Sequence, residues 1–152
     1  MYSDDMLRHF MEQGIPFNAF LGMKVDHIAP GEVIIRIPSR PEFTGDTFRP
    51  ALHGGVISTL ADTAGGLAVF TRLEEFQVAS TVDLRVDYLR PGEVDQDLIA
   101  RSVVIRLGNR VAATQTTVYH TDPDLPVAVA AAVYNVIRLK DQSADIGTLM
   151  DD

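Results

Sequence analysis

The residues best suited to do chemistry lie on one stretch, from His53 to Asp62. His53-Gly54-Gly55 opens it, and Asp62 follows amid Leu and Ala. His and Asp are side chains that move protons near neutral pH. A helix that begins at glycines exposes its first backbone N–H groups to a ligand oxygen. Such groups stabilise a carbonyl that gains negative charge in a transition state, so the pattern indicates chemistry at a carbonyl group.

Each of these residues also has a purely structural interpretation. The His-Gly-Gly stretch could be a tight junction between loop and helix, with His53 capping the helix. Asp62 could be a buried carboxylate that accepts hydrogen bonds from Thr59 or Thr63. The second alternative is the weaker one, because a carboxylate in so apolar a helix is costly to bury unless something partners it or needs it.

The spacing of His53 and Asp62 bears on how many chains form the site. Along a helix, nine residues turn through roughly 900° and rise ~13 Å, which places the two side chains on opposite faces. If both are catalytic, each needs a partner from a second copy of the chain, so the spacing predicts a homodimer with two composite sites. Gly65 and Gly66 cost about 1 kcal/mol each against Ala in a helix interior, which indicates a close approach of the sheet or of a second helix.

The apolar pattern predicts the elements that position this stretch. From Val56 the central helix is apolar on nearly every face, as in a helix enclosed by other structure, and it should end near Leu73. Strand periodicity is strongest where Val82, Leu84, Val86 and Tyr88 alternate with polar residues. The remaining elements are predicted as a helix over 3–13, a helical turn over 17–22, strands over 23–28 and 32–38, a loop over 39–52, and strands over 97–107, 110–120 and 127–139.

Short connections make the last strands antiparallel neighbours, and the strand over 127–139 should be central and covered on both faces. We therefore expect an α+β fold in which one curved antiparallel β-sheet wraps around one long central helix.

Composition limits the class of protein. The 152 residues are 46% apolar and 22% charged, which suits a single domain over 1–140 followed by a flexible acidic tail over 141–152. A net charge of −8 argues against nucleic acid or an anionic membrane as the main partner. The chain has no Cys, no visible secretory signal and no apolar run long enough to span a membrane, so we expect a cytoplasmic protein. No spacing of His and carboxylates predicts a metal site.

Two motifs together resemble a known family. His53-Gly-Gly followed by Leu60-Ala-Asp62, and then Thr81-Val-Asp-Leu-Arg-Val-Asp-Tyr-Leu-Arg-Pro91, resemble the hotdog-fold acyl-CoA thioesterases of the phenylacetate-degradation (PaaI-like) type. The resemblance covers residues 15–139. It implies a hotdog fold, a homodimer that often pairs into a homotetramer, and hydrolysis of a CoA thioester to a carboxylic acid and free CoA. The thioester is the substrate, and the resemblance implies no cofactor.

The resemblance also implies roles for particular residues. Gly54, with Gly55, would supply the N–H that polarises the thioester carbonyl, and His53 would orient that carbonyl or the leaving sulfur. Asp62 of the other subunit would act as general base on water or as nucleophile through an anhydride. Thr81 would lie near the water, although strict alternation places it on the polar face of its strand, so a bulge or a twist at the strand end is needed.

Three further residues are candidates for binding the substrate. Thr47 stands where the family often has an Asn that positions the His, so its hydroxyl, or the carboxylate of Asp46, could take that role. Arg90 and Arg110 fall at turns that resemble the family's nucleotide-contact regions and could bind CoA phosphates; for each the alternative is a solvated surface Arg. The wall of the acyl pocket could include Phe17, Phe20, Leu60 and Phe70, whereas His9, His27 and His120 are assigned to surface or packing roles.

Two other functions stay open. A hotdog-fold dehydratase or hydratase on acyl thioesters would also use a His and a helix carboxylate. A non-catalytic acyl-CoA binding protein would bind CoA esters without turnover, with Asp62 purely structural. The thioesterase is favoured over the dehydratase because the residues that flank His53 resemble the thioesterase pattern.

Overall fold

The computed structural model describes residues 1–74 and 76–139, so the tail predicted over 141–152 lies outside the described residues. The N-terminal part forms two short helices, and a long helix follows after two strands and a hairpin. In chain order the elements are α1 (Asp4–His9), a π-helical turn (Phe10–Gly14), α2 (Pro16–Leu21), β1 (Lys24–Ala29), β2 (Glu32–Ile37), a 3₁₀ turn (Pro41–Phe43), β3 (Thr44–Asp46), β4 (Ala51–Leu52), α3 (Gly54–Phe70), β5 (Gln77–Tyr88), β6 (Leu98–Leu107), β7 (Val111–Tyr119) and β8 (Ala128–Arg138).

Six of these strands form one antiparallel sheet in the order β1-β2-β6-β7-β8-β5, and β3 pairs with β4 separately. Strands β6, β7 and β8 are joined by short turns and pair in sequence, as predicted. Strand β5 does not pair with β6; it crosses the sheet to pair with β8, and β6 pairs with β2 instead. As a result β5, which is twelve residues long, is an edge strand whose outer side pairs with no other described strand.

Helix α3 packs against β2, β5, β6, β7 and β8 on one face of the sheet and fills the core. Leu60, Ala61, Ala64 and Leu67 have no exposed surface, as expected of an enclosed helix. The helix ends at Phe70 rather than near Leu73, and after it the N–H groups of Arg72 and Leu73 donate to carbonyls three residues back, which is a tighter turn. One stripe of the helix, which we call the open stripe, remains partly exposed at residues three or four apart: Gly55, Thr59, Asp62, Gly66 and Phe70.

The prediction that Gly65 marks a close approach of the sheet is confirmed. A Cβ placed on Gly65 would lie 2.1 Å from the Tyr134 hydroxyl and 2.9 Å from Thr114 Oγ1. That hydroxyl donates a hydrogen bond of 2.8 Å to the Asp62 carbonyl, which ties β8 to the middle of α3. Burial, and after it the charge of Asp62, raises the pKa of Tyr134 well above its ordinary value, so the phenol stays protonated and donates.

The prediction that the strand over 127–139 is covered on both faces is wrong for β8 within one chain. The strand does lie inside the sheet, between β7 and β5. Its residues alternate between buried and more exposed along almost the whole length, so only the face toward α3 is covered within one chain. Continuous Val and Ala predicted two-sided burial, but Ala is small enough to occupy an uncovered face as well.

The segment before α3 is more ordered than the predicted loop over 39–52. The Asp46 carboxylate accepts hydrogen bonds from the backbone N–H groups of Phe48 and Arg49 and so closes the β3–β4 hairpin. Gly45 lies against the backbone of His53, where a Cβ would come within 2.5 Å of Cα. The His53 N–H also donates to the Phe43 carbonyl at 2.8 Å, so this hairpin fixes the start of α3.

Among the described residues no helix is long and apolar enough to cross a bilayer.

Candidate active site

The N-terminus of α3 is capped by His53. Its Nδ1 accepts a hydrogen bond of 2.8 Å from the Gly55 N–H, and its carbonyl accepts one of 3.0 Å from Val56. The Gly54 N–H finds no acceptor within the described part of the chain. Because Nδ1 accepts, the neutral ring carries its proton on Nε2. The expected N–H donor is therefore available at Gly54, whereas the Gly55 N–H is occupied by the imidazole.

Tyr88 belongs to the same end of α3, although the sequence motifs did not single it out. A Cβ on Gly54 would lie 3.4 Å from the Tyr88 ring, and the Tyr88 hydroxyl donates to the Gly54 carbonyl at 3.2 Å. The alternation of β5 could have identified Tyr88, because it is the last residue of the strand on the face toward the helix. The Tyr88 ring therefore lies against the first residue of α3.

Asp62 and Thr81 form a second polar group, the Asp62–Thr81 pair. Thr81 Oγ1 donates to Asp62 Oδ1 at 2.8 Å. The structural alternative named the wrong partners, since Thr59 donates instead to the Gly55 carbonyl at 2.7 Å. Asp62 is half-buried, so its carboxylate remains open to solvent along the open stripe.

A β-bulge turns Thr81 toward the helix. In the pairing of β5 with β8, Thr81 lies opposite Tyr134 and Asp83 opposite Val133, so Val82 has no partner in the register. Val82 is accordingly 67% exposed. The extra residue shifts Thr81 from the outer to the inner face, which is what the sequence required if Thr81 is to reach the site.

The structure thus brings the candidate residues together as two groups and not as one. His53 and Gly54 lie at the start of α3, and Asp62 lies about 12 Å further along the helix. Each group has its own contact on β5: Tyr88 near the end of the strand and Thr81 near its beginning. Within one chain the Asp62 carboxylate and the Gly54 N–H therefore cannot contact the same atom.

The candidate substrate-binding residues lie on the surface. Thr47 occupies the exposed tip of the β3–β4 hairpin and makes no hydrogen bond to His53. The carboxylate of Asp46 serves its own turn, and the N–H groups of Arg49 and Phe48 lower its pKa. Arg90 follows Tyr88 by two residues, at the end of β5 near the α3 N-terminus. Arg110 precedes β7 at the opposite end of the sheet, where Val111 pairs with the same β8 residue as Ser80.

The remaining candidates separate clearly. His120 is structural: its Nε2 accepts from the Glu93 N–H at 2.9 Å, and its Nδ1 lies 2.8 Å from the Asp97 carbonyl oxygen. Leu60 has no exposed surface, so its assignment to the pocket wall is wrong, whereas Phe70 lies on the open stripe. Phe17 and Phe20 are exposed on α2 and stack on each other at 6.3 Å. Across residues 1–74 and 76–139, no three His, Asp or Glu side chains gather closely enough to hold a metal ion.

A curved antiparallel sheet around one central helix is the hotdog fold, and the profile of the thioesterase superfamily matches residues 50–127. The chain belongs to this superfamily and is a thioester hydrolase. It is 34% identical to the medium/long-chain acyl-CoA thioesterase YigI of Escherichia coli over 135 residues, which cover 80% of this chain and 86% of YigI.

Solved structures agree with this assignment. A thioesterase family protein from Silicibacter pomeroyi superposes with a TM-score of 0.79 at 26% identity, covering 88% of this chain and 98% of that one. A mutant of the phenylacetic acid degradation protein PaaI from Thermus thermophilus superposes with a TM-score of 0.70 at 32% identity, covering 80% and 98%.

Proposed function

We propose that the protein hydrolyses acyl-CoA thioesters to a carboxylic acid and free CoA in two composite sites at the interface of a homodimer. One observation carries this proposal. The edge strand β5 bears a contact of each half of the site, Thr81 to Asp62 and Tyr88 to Gly54, and its outer side pairs with no described strand. Strand pairing between two copies across this edge would complete the sheet and join the halves.

The charges of β5 agree with a two-fold axis at Leu84 and disagree with one at the neighbouring Arg85. Residues that oppose each other across an antiparallel pair must point to the same face, so the two-fold axis must pass through a residue and not between residues. With the axis at Leu84, Asp83 lies opposite Arg85 of the partner subunit, and the pair occurs twice. With the axis at Arg85, like charges would oppose each other along the strand, which is destabilising.

This pairing brings the His53 group of one chain beside the Asp62–Thr81 pair of the other. With the axis at Leu84, the bulge at Val82 shifts the pairing by one residue, so Tyr88 of the partner subunit lies opposite Ala79, on the same face as Thr81. The α3 N-terminus of one chain then faces the carboxylate of the other. Arg90 of one chain also approaches the end of the sheet that carries Arg110 of the other, where two guanidinium groups can bind CoA phosphates. Dimers formed in this way leave the outer face of the sheet available for pairing into a tetramer.

The proposed chemistry follows from the two groups. The thioester carbonyl oxygen accepts a hydrogen bond from the Gly54 N–H, and His53 Nε2–H lies at the same helix end to bind the carbonyl or the leaving sulfur. Thr81 holds one oxygen of the Asp62 carboxylate and leaves the other for water. Asp62 removes the proton as water adds to the carbonyl carbon, the C–S bond breaks, and the CoA thiolate takes up a proton.

Asp62 could instead attack the carbonyl carbon itself, so that the C–S bond breaks, the CoA thiolate leaves and an anhydride remains, which water then cleaves. A single turnover in water labelled with heavy oxygen distinguishes the two routes. In the general-base route the label enters the product acid in the first turnover. In the anhydride route, attack of water on the side-chain carbonyl carbon of Asp62 places the label on the enzyme.

The test uses Asp62→Asn, which keeps the shape of the side chain and an oxygen that can accept from Thr81. We expect kcat for CoA release to fall by about 10²–10⁴, the usual contribution of a general base, with an unchanged circular dichroism spectrum. Near-normal hydrolysis would refute the assignment, and tight binding of CoA esters without turnover by the wild type would indicate a binding protein. Enoyl-CoA hydration, assayed in parallel, would identify a hydratase.

A mixing experiment tests the composite site. We expect Asp62→Asn and His53→Ala chains each to have lost activity as homodimers. If they are unfolded and refolded together, half of the dimers are mixed, and each mixed dimer has one site with both halves intact. We expect about a quarter of wild-type activity to return. If each site lay within one chain, no activity would return.

A further inference from the structure

Gly66 lies in the middle of α3 without a packing reason in its own chain. A Cβ there would lie 3.6 Å from Tyr134 Cε1, an ordinary van der Waals distance, in contrast to the severe clash at Gly65. Its backbone is helical, so no positive φ calls for glycine. A glycine in a helix interior is less stable than Ala. Gly66 is partly exposed on the open stripe, one helical turn after Asp62.

The open stripe leads from Gly66 to an apolar pocket, which we call the α1 pocket. Its volume is about 280 Å³, and it is lined by Tyr2, Met6, Leu7, Phe10, Phe70 and Val78. The one hydroxyl among these side chains is engaged, since Tyr2 donates to the Gln77 carbonyl at 2.8 Å. The Tyr2 ring contacts Phe70 with centroids 6.2 Å apart. Because Gln77 begins β5, four residues before Thr81, Tyr2 closes the end of the pocket that is far from Asp62.

We propose that the acyl chain of the substrate runs from Asp62 over Gly66 into the α1 pocket, with Tyr2 as its end wall. This rests on the proposed function. The absent side chain of Gly66 leaves room for the alkyl chain, which accounts for a glycine that the packing of the protein does not need. The pocket offers no free polar side chain among its lining residues, so it selects unbranched aliphatic acyl groups over hydroxylated ones.

The geometry sets the chain length at which the groove acts. Gly66 lies about 6 Å and Phe70 about 12 Å along the helix axis from Asp62. An extended alkyl chain with C–C bonds of about 1.5 Å advances about 1.3 Å per carbon, so about five carbons reach Gly66 and about nine reach Phe70. Between these lengths each buried methylene should raise kcat/KM about fourfold, which corresponds to about 0.8 kcal/mol.

The first experiment uses Gly66→Val, with Gly66→Ala as the smaller change should Val unfold the chain. We compare kcat/KM for butanoyl-, octanoyl- and dodecanoyl-CoA in the dimeric protein. The ratio of dodecanoyl to butanoyl activity should fall at least tenfold, because only the long chain must pass residue 66. Ile105→Val, a change at an exposed side chain on β6, should keep the wild-type ratio. Tyr2→Ala should move the optimum to acyl chains longer by two to four carbons.

An unchanged ratio in both Gly66→Val and Tyr2→Ala, with CoA release retained, would overturn the proposal. Dissociation of Gly66→Val into monomers in sedimentation velocity would overturn it as well, since Gly66 would then serve contact between two copies of the chain. Binding of dodecanoate, measured by calorimetry, tests the groove without turnover: Gly66→Val should weaken it at least tenfold. Loss of all hydrolysis in the wild type with dodecanoate binding retained would refute the proposed function and leave the groove standing.

Discussion

Substitution of two adjacent glycines should change the stability of this protein in opposite directions. In Gly65→Ala the new Cβ would lie 2.1 Å from the Tyr134 hydroxyl, so the buried ring must move. Overpacking of this kind costs about 1–3 kcal/mol, and displacement of the ring loses its hydrogen bond to the Asp62 carbonyl, about 1 kcal/mol. The better helix propensity of Ala returns about 1 kcal/mol. The net expectation is a loss of about 1–3 kcal/mol.

Gly66→Ala has the gain in propensity without the clash, so it should raise the free energy of unfolding by about 0.5–1 kcal/mol. Equilibrium unfolding in urea measures both changes, at one fixed protomer concentration because dimer formation contributes to stability. For a chain of this size 1 kcal/mol corresponds to about 2–4 °C in Tm. Gly65→Ala should therefore lower Tm by several degrees, and Gly66→Ala should raise it by about 2 °C.

A double-mutant cycle tests whether the Tyr134 hydroxyl causes the loss of stability in Gly65→Ala. Tyr134→Phe removes the hydroxyl that Ala at position 65 would meet, so the double variant should be more stable than the sum of the single changes by at least about 1 kcal/mol. Gly65→Ala with wild-type stability, or an additive cycle, would refute the packing argument. A loss of stability in Gly66→Ala equal to that in Gly65→Ala would show that the chain itself needs both glycines.

Three further predictions concern the site. His53→Asn should keep the free energy of unfolding within about 0.5 kcal/mol because Asn is also a good N-cap, whereas His53→Ala loses about 1 kcal/mol; both should lose turnover, and full kcat in His53→Asn would exclude a catalytic His. Thr81→Val should lower kcat about fivefold with little change in KM, as expected for about 1 kcal/mol from one hydrogen bond to Asp62, and Thr81→Ser should restore it. Because the pKa of Tyr134 is raised in the folded chain, its contribution to stability is complete below about pH 10 and is lost as the pH rises further; the stability difference between wild type and Tyr134→Phe should shrink above pH 10, and a constant difference to pH 11 would contradict this.

The sequence predicted the elements that have local signals. Ser3 caps α1, the turn between β1 and β2 lies where Pro30-Gly31 stands, and the long apolar helix begins at the predicted glycines. The β3–β4 hairpin was missed because its register rests on one Asp46 turn and on a backbone contact at Gly45, not on alternating apolar residues. The pairing of β5 with β8 could not be predicted either, since periodicity gives the faces of a strand and not its neighbours.

Thr81 shows where sequence reasoning reaches its limit. Alternation along β5 placed it on the outer face, and a single unpaired residue at Val82 reverses that placement for everything before it. Val82 gives no sign of a bulge, because Val is common in regular strands. The bulge has a clear consequence on α3, because it lets the Thr81 hydroxyl donate to the Asp62 carboxylate at 2.8 Å. The contact that the bulge permits lies on another element, 19 residues away in the sequence, so the alternation of the strand could not predict it.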